Sequence, residues 1–181
     1  MQTTFANELG WLRATPALTA TLARGEAYAG AQQHRFVMLE HVLLALTEDD
    51  DAASVLVEAR IDIARLRDDV AAFLGRLNDR IHPGEGSRPQ VHPDLRRILE
   101  YAAQAAQRSR RPQINGAVGV AAVGGEGRSV AANILKSHGL TFQDAIRALQ
   151  RQPPVQDQGP PPAPLPPGPA PMVPRPEPRF D

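Results

Sequence analysis

Between residues 16 and 150 apolar side chains recur at spacings of three, four and seven, the period of a buried helical face. Pro16 opens a first helix whose stripe includes Leu18, Leu22 and Tyr28, since proline in the first turn costs no hydrogen bond. Glu40 to Leu46 is apolar nearly all round (Val42, Leu43, Leu44, Leu46), which predicts a short, buried helix. Asp49-Asp50-Asp51 supplies a turn and an N-cap for a helix over 52–59. Asp62 caps a fourth, with Ile63, Leu66, Val70, Phe73, Leu74 and Leu77 on one face. Residues 78–92, with two prolines and two glycines, read as a linker. The rhythm then restarts. Pro93 opens a helix carrying Leu95, Ile98, Leu99, Ala102 and Ala106, and Asn115 caps a helix over 116–123 that Gly124-Gly125 breaks. Residues 129–137 form the next, with Gly139 at its C-cap, and Thr141 caps a last helix bearing Phe142, Ala145, Ile146 and Leu149.

The two halves superpose. Pro16, Leu18 and Leu22 answer Pro93, Leu95 and Leu99 at an offset of 77. Leu56, Ile61, Ile63, Leu66 and Val70 answer Leu135, Leu140, Phe142, Ala145 and Leu149 at 79, so the second copy carries two extra residues. A copy of about 60 residues buries too little surface to be stable alone. The pattern therefore predicts an all-α fold: a double four-helix repeat sharing one core about a pseudo-twofold axis. Repeat one covers 16–77 and repeat two 93–150, preceded by an extension (1–15) in which Phe5, Leu9 and Leu12 form a turn and a half against the core.

Composition changes the picture at the far end. Of 18 prolines, 13 lie within residues 151–181, a segment that cannot build a packed core and is expected to be disordered. Its P-x-x-P frames, Pro161 to Pro164 among them, suit an aromatic groove, and Phe180 reads as a docking side chain at its end. The 20 basic residues balance 20 acidic ones, which disfavours a generic grip on nucleic acid or an anionic membrane. There is no cysteine, hence no disulfide, thiolate metal site or cysteine nucleophile. No apolar run approaches the roughly 20 residues that span a bilayer, and the first residues lack the pattern of a secretory leader; a cytoplasmic protein is expected.

Two stretches carry a family resemblance. Residues 27–35, AYAGAQQHR, followed by Glu40-His41-Val42-Leu43-Leu44-Ala45-Leu46, resemble the N-terminal Clp repeat domain of Clp/Hsp100 unfoldase subunits, closest to the ClpA type. Residues 114–123 and 132–138 resemble that domain's degenerate second repeat. The resemblance covers roughly residues 16–150 and implies a non-catalytic module that receives substrates and adaptors, including the small adaptor ClpS, for an attached ATPase ring. No ATPase module is present: Gly124-Gly125-Glu126-Gly127-Arg128-Ser129 lacks the lysine and spacing of a Walker A loop and reads as a helix-breaking turn.

Departures from the family pattern fall at the start of the E-H-L-L helix. Met38 and Leu39 stand where the family usually has a Ser or Thr cap, so that cap is expected to be lost. Some relatives hold a phosphoarginine guanidinium between paired acids of the two repeats. Here Ala117-Val118 answers Glu40-His41, leaving only Glu40. Glu40 has two readings: a first-turn acid complementing the helix dipole, or an acidic contact for a basic group on a partner. His41 is expected to be a partly buried helix-start histidine that hydrogen-bonds across the repeat. His34 and His41 lie seven apart across a loop and do not form a helical metal-ligand pair; His82, His92 and His138 lie elsewhere. No metal, cofactor or catalytic residue is expected.

Two functions fit. In the first, a stand-alone Clp N-domain-like protein binds Clp ATPase or peptidase subunits, a ClpS-like adaptor or Clp substrates, with Glu40, His41 and His34 as protein-binding residues. In the second, the repeats are a handle and the tail is the docking ligand, through Pro161, Pro164 and Phe180, outside Clp proteolysis altogether.

Overall fold

Each helix begins where a side chain can take up its unpaired amides. The computed structural model describes residues 8–81 and 88–152. Thr15 Oγ1 accepts the Leu18 amide at 3.2 Å and starts α1 (Pro16–Ala31). Helix α2 (Leu39–Leu46) is buried at every position. Asp49 starts α3 (Asp50–Glu58), and Asp62 starts α4 (Ile63–Gly75). The second repeat follows the same plan. His92 Nδ1 accepts the Asp94 amide ahead of α5 (Pro93–Arg108), Asn115 caps α6 (Gly116–Glu126), Ser129 caps α7 (Val130–Ser137), and Thr141 caps α8 (Phe142–Arg151). The expected extension over 8–15 packs inward through buried Leu9 and half-buried Leu12. Phe5, His82, Phe180, Pro161 and Pro164 lie outside the described residues.

The fold is all-α in its layers, with a pseudo-twofold that shows most directly in the backbone between helices. Strand β1 (Phe36–Val37), just before α2, pairs in parallel with β2 (Gln90–Val91), just before α5, with Val37 opposite Val91. The symmetric exchange occurs before α1 and α6, where Ala14 bridges Ile114. The Thr15 amide donates to the Ile114 carbonyl at 2.9 Å, and the Ile114 amide to that of Arg13 at 2.8 Å. Ile114 is the 77-offset counterpart of Val37, and Val91 that of Ala14. Each repeat thus lends backbone to the other. The two central helices, α2 and α6, meet in the core, where Gly119 faces Leu46 and Leu18.

Two expectations are corrected. The linker is tied at both ends: Gln90 and His92 donate to the Arg35 and Val37 carbonyls, and Ile81 to that of Gln33. Two-residue strands carry no periodicity, so the pattern could not show them. Gly124-Gly125 does not break α6, which runs to Glu126 and stops at Gly127 with φ 72°. A glycine inside a helix costs only about 0.5–1 kcal/mol relative to alanine, and packing overrides it. No hydroxyl caps α2, as expected; what remains is the reciprocal bond, in which His41 Nδ1, at the third helical position, accepts the Met38 amide at 3.0 Å.

Candidate functional site

Glu40, His41 and His34 come together, but inside the molecule. His41 is fully buried and His34 nearly so. Because His41 Nδ1 accepts from Met38, its proton sits on Nε2, which donates to His34 Nδ1 at 2.8 Å. His34 then carries its proton on Nε2, which is buried and has no hydrogen-bond partner among the described residues. Burial pushes the His41 pKa down to about 4, with a smaller contribution from His34, and lowers that of His34 as well. A bond between the two repeats is made by the neighbour of His41. Glu40 Oε1 accepts the Ala131 amide at 3.0 Å, in the first turn of α7. Glu40 therefore serves the dipole of a helix in the other repeat, with only 4% of its surface exposed. Burial raises its pKa, and the backbone amides it accepts from hold it partly down. This cluster presents no polar atom array to a partner; it fastens repeat to repeat. Among the described residues no group of three His, Asp or Glu side chains is placed to hold a metal ion.

The accessible concavity lies elsewhere. Helices α5 and α8 both pack on α6, and the space above α6 is a groove of about 580 Å³. Val118, Ala121, Ala122 and Gly125 of α6 form its floor. Tyr101 stands on the α5 wall and Phe142 on the α8 wall, 62% and 53% exposed, large values for such rings. Ile146 and Leu149 continue the α8 wall, while Arg97, Arg108 and Arg128 sit among the lining residues with Glu126, which pairs with Arg97 at 3.3 Å. The small floor side chains give the groove its depth. A Cβ at Gly125 would lie 2.7 Å from the Phe142 ring, so glycine there lets the ring settle against α6.

The equivalent positions of the first repeat are occupied differently, residue for residue. Arg24 and Tyr28 of α1 and Arg67 of α4 all converge on Glu48, just past α2. Tyr28 Oη donates to Glu48 at 2.7 Å, and the two guanidinium groups lie 3.4 and 2.6 Å away. The Tyr28 hydrogen bond and both arginines hold the Glu48 carboxyl below its usual range. At offsets of 77 and 79 the counterparts of Arg24, Tyr28, Glu48 and Arg67 are Tyr101, Ala105, Gly125 and Ile146. All four line the groove. A polar clasp in one repeat is an open apolar trough in the other. Sequence reasoning missed the trough, although the signal was present: the repeat alignment itself sets three charged residues and a tyrosine against four residues without charge.

These features define a class: paired four-helix repeats with a shared core and an apolar trough open to solvent on one of them. The profile of the Clp repeat (R) N-terminal domain matches residues 13–138, and the chain belongs to that family. A "ClpA homolog protein" of Fuscovulum blasticum is 32% identical over 121 residues, 66% of this chain. The chain spans only 15% of that relative's length. Two solved structures share the fold. One comes from structural investigations of a malarial protein secretion system (TM-score 0.67, 18% identity, 77% of this chain and 93% of the other). The second is the N-terminal domain of the ClpV1 ATPase from the Sci1 type VI secretion system of E. coli EAEC (TM-score 0.64, 19% identity, 75% and 82%). Among the described residues no helix is long and apolar enough to cross a membrane.

Proposed function

We propose that the repeat domain is a non-catalytic protein-binding module of the Clp system, and that its working surface is the trough between α5, α6 and α8. The observation that carries this reading is the pair of half-exposed rings, Tyr101 and Phe142, on opposite walls of an apolar floor. Exposed aromatics over a concave apolar surface are what interface hot spots are made of. The ligand that suits it is an apolar segment of an adaptor, a substrate, or a subunit of the Clp machine. Membership of the family supports the choice of partners. The buried Glu40–His41–His34 cluster then contributes by fixing α2 and α7, and through them the repeats, rather than by touching the ligand.

The test is site-specific photocrosslinking in the native cell extract. A benzoylphenylalanine placed at Tyr101 should capture Clp ATPase, peptidase, adaptor or substrate proteins. The same group at Arg24, the clasped counterpart, should not. Capture at both positions, or undiminished Clp association of a Tyr101→Ala, Phe142→Ala double variant, rejects the trough as the binding surface.

A further inference from the structure

The trough begins where the proline-rich segment begins. Helix α8 forms one wall, with Phe142 at its start and Leu149 near its end, and the chain leaves α8 at Arg151. Residues 153–159 are followed by Pro160-Pro161-Pro162-Ala163-Pro164-Leu165-Pro166-Pro167, eight positions without a charge or a polar side chain. Helix α8, 10 residues long, extends about 15 Å at 1.5 Å per residue. Seven residues in an extended form reach about 22 Å at roughly 3.1 Å each. The connection is therefore long enough to turn at the end of α8 and bring Pro160 back beside Phe142.

We propose that residues 160–167 of this same chain dock in the trough in cis, packing proline rings against Tyr101 and Phe142, and so compete with external ligands for it. The proposal rests on the reading of the trough as a docking surface and names its resident occupant. Three observations support it. The segment is uncharged, as are the two rings and the floor. Aromatic-walled grooves are the surfaces that proline-rich segments recognise, and a proline-rich strand loses little conformational entropy on binding. Finally, the short connection gives an effective concentration on the order of 1 mM. A segment that binds in trans with Kd about 0.1 mM is then about 90% docked and weakens any competitor roughly tenfold.

The absence of cysteine from the chain makes the test direct. A single Ala163→Cys substitution in the full chain takes a nitroxide label, and amide relaxation is read by NMR. Docking predicts strong broadening confined to the surroundings of Tyr101, Gly125 and Phe142, with α1 and α3 unaffected. Replacing Pro161, Pro164 and Pro167 by serine should abolish it. So should Tyr101→Ala with Phe142→Ala, two exposed rings whose removal leaves the core intact. Broadening that is absent, uniform over the surface, or unchanged in either variant overturns the proposal. Those results leave the trough itself to the crosslinking experiment, which reads partner capture at position 101 independently of the tail. Capture that persists without selective broadening means an external ligand is the only occupant. Where the tail docks, the three-serine chain should also capture external partners several-fold better than the wild type.

Discussion

Replacing Glu40 tests the idea that this acid holds the two repeats together. Glu40→Ala removes the acceptor of the Ala131 amide, 91 residues away in the sequence and wholly buried. A buried donor left without a partner costs about 1–3 kcal/mol. Loss of negative charge from the α7 N-terminus adds about 0.3–1 kcal/mol. Against this stands the cost of keeping a carboxylate buried, seen in its raised pKa. The balance is a loss of about 2 kcal/mol. Glu40→Gln keeps an acceptor oxygen in the same place and drops the buried charge, so its loss should stay below about 1 kcal/mol. Urea unfolding followed by far-UV circular dichroism at pH 7 reads the difference. With a slope near 2 kcal/mol per molar, the alanine midpoint falls by about 1 M and the glutamine midpoint by less than half that. The reasoning is refuted if alanine shifts the midpoint by less than about 0.25 M, or if glutamine costs as much as alanine. The first result would mean that the Ser129 cap on the neighbouring Ala132 amide suffices for α7, the second that the charge of Glu40 matters and its acceptor oxygen does not.

Further expectations follow from the same contacts. The His41 ring should stay neutral in the folded protein down to about pH 4 when its Cε1 proton is followed by NMR, and a midpoint at or above 6 contradicts its burial. Its folded pKa lies below the unfolded value, so the unfolded chain binds more protons between the two. Stability from this group is complete above about pH 6.5 and is lost as the pH falls towards 4, by roughly 3 kcal/mol at about 1.4 kcal/mol per unit. Gly116→Ala puts a Cβ within 1.9 Å of the buried Asp49 carboxylate, which caps Ala52 and accepts from Thr21. It should cost about 2 kcal/mol or more by thermal unfolding, whereas Gly30→Ala, with open space, should be neutral or stabilising. Glu48→Ala breaks the clasp of the first repeat, yet these are exposed ion pairs, and the melting temperature should move by only a few degrees at most.

Much of the architecture was legible because helix signals are local. Thr15, Asp49, Asp62, Asn115, Ser129 and Thr141 each cap the helix they precede, and the all-round apolar Glu40–Leu46 stretch is the buried centre of its repeat. What the chain did not announce depends on distant partners. Val37 and Val91 form a strand pair only because the repeats are exchanged at that point, and nothing in a two-residue run reveals it. Glu40 looked like an unpaired remnant of a symmetric pair because its true partner is a backbone amide, and amides leave no mark on a sequence. His41 reaches back to accept the Met38 amide, a bond visible only once the ring is placed. The trough residues Tyr101, Ala105, Gly125 and Ile146 are ordinary individually and informative only against their polar counterparts Arg24, Tyr28, Glu48 and Arg67.

The exchange of backbone between repeats also sets a schedule for synthesis. Ala14 waits for Ile114, Val37 for Val91, and Glu40 for Ala131. At roughly 5–20 residues per second a ribosome needs about 5–20 s to make the stretch between Glu40 and its partner. Through that interval α2, buried at every position in the finished fold, is made but lacks its cover from the second half. The first repeat is thus an incomplete object until the second is made, and its apolar centre closes last.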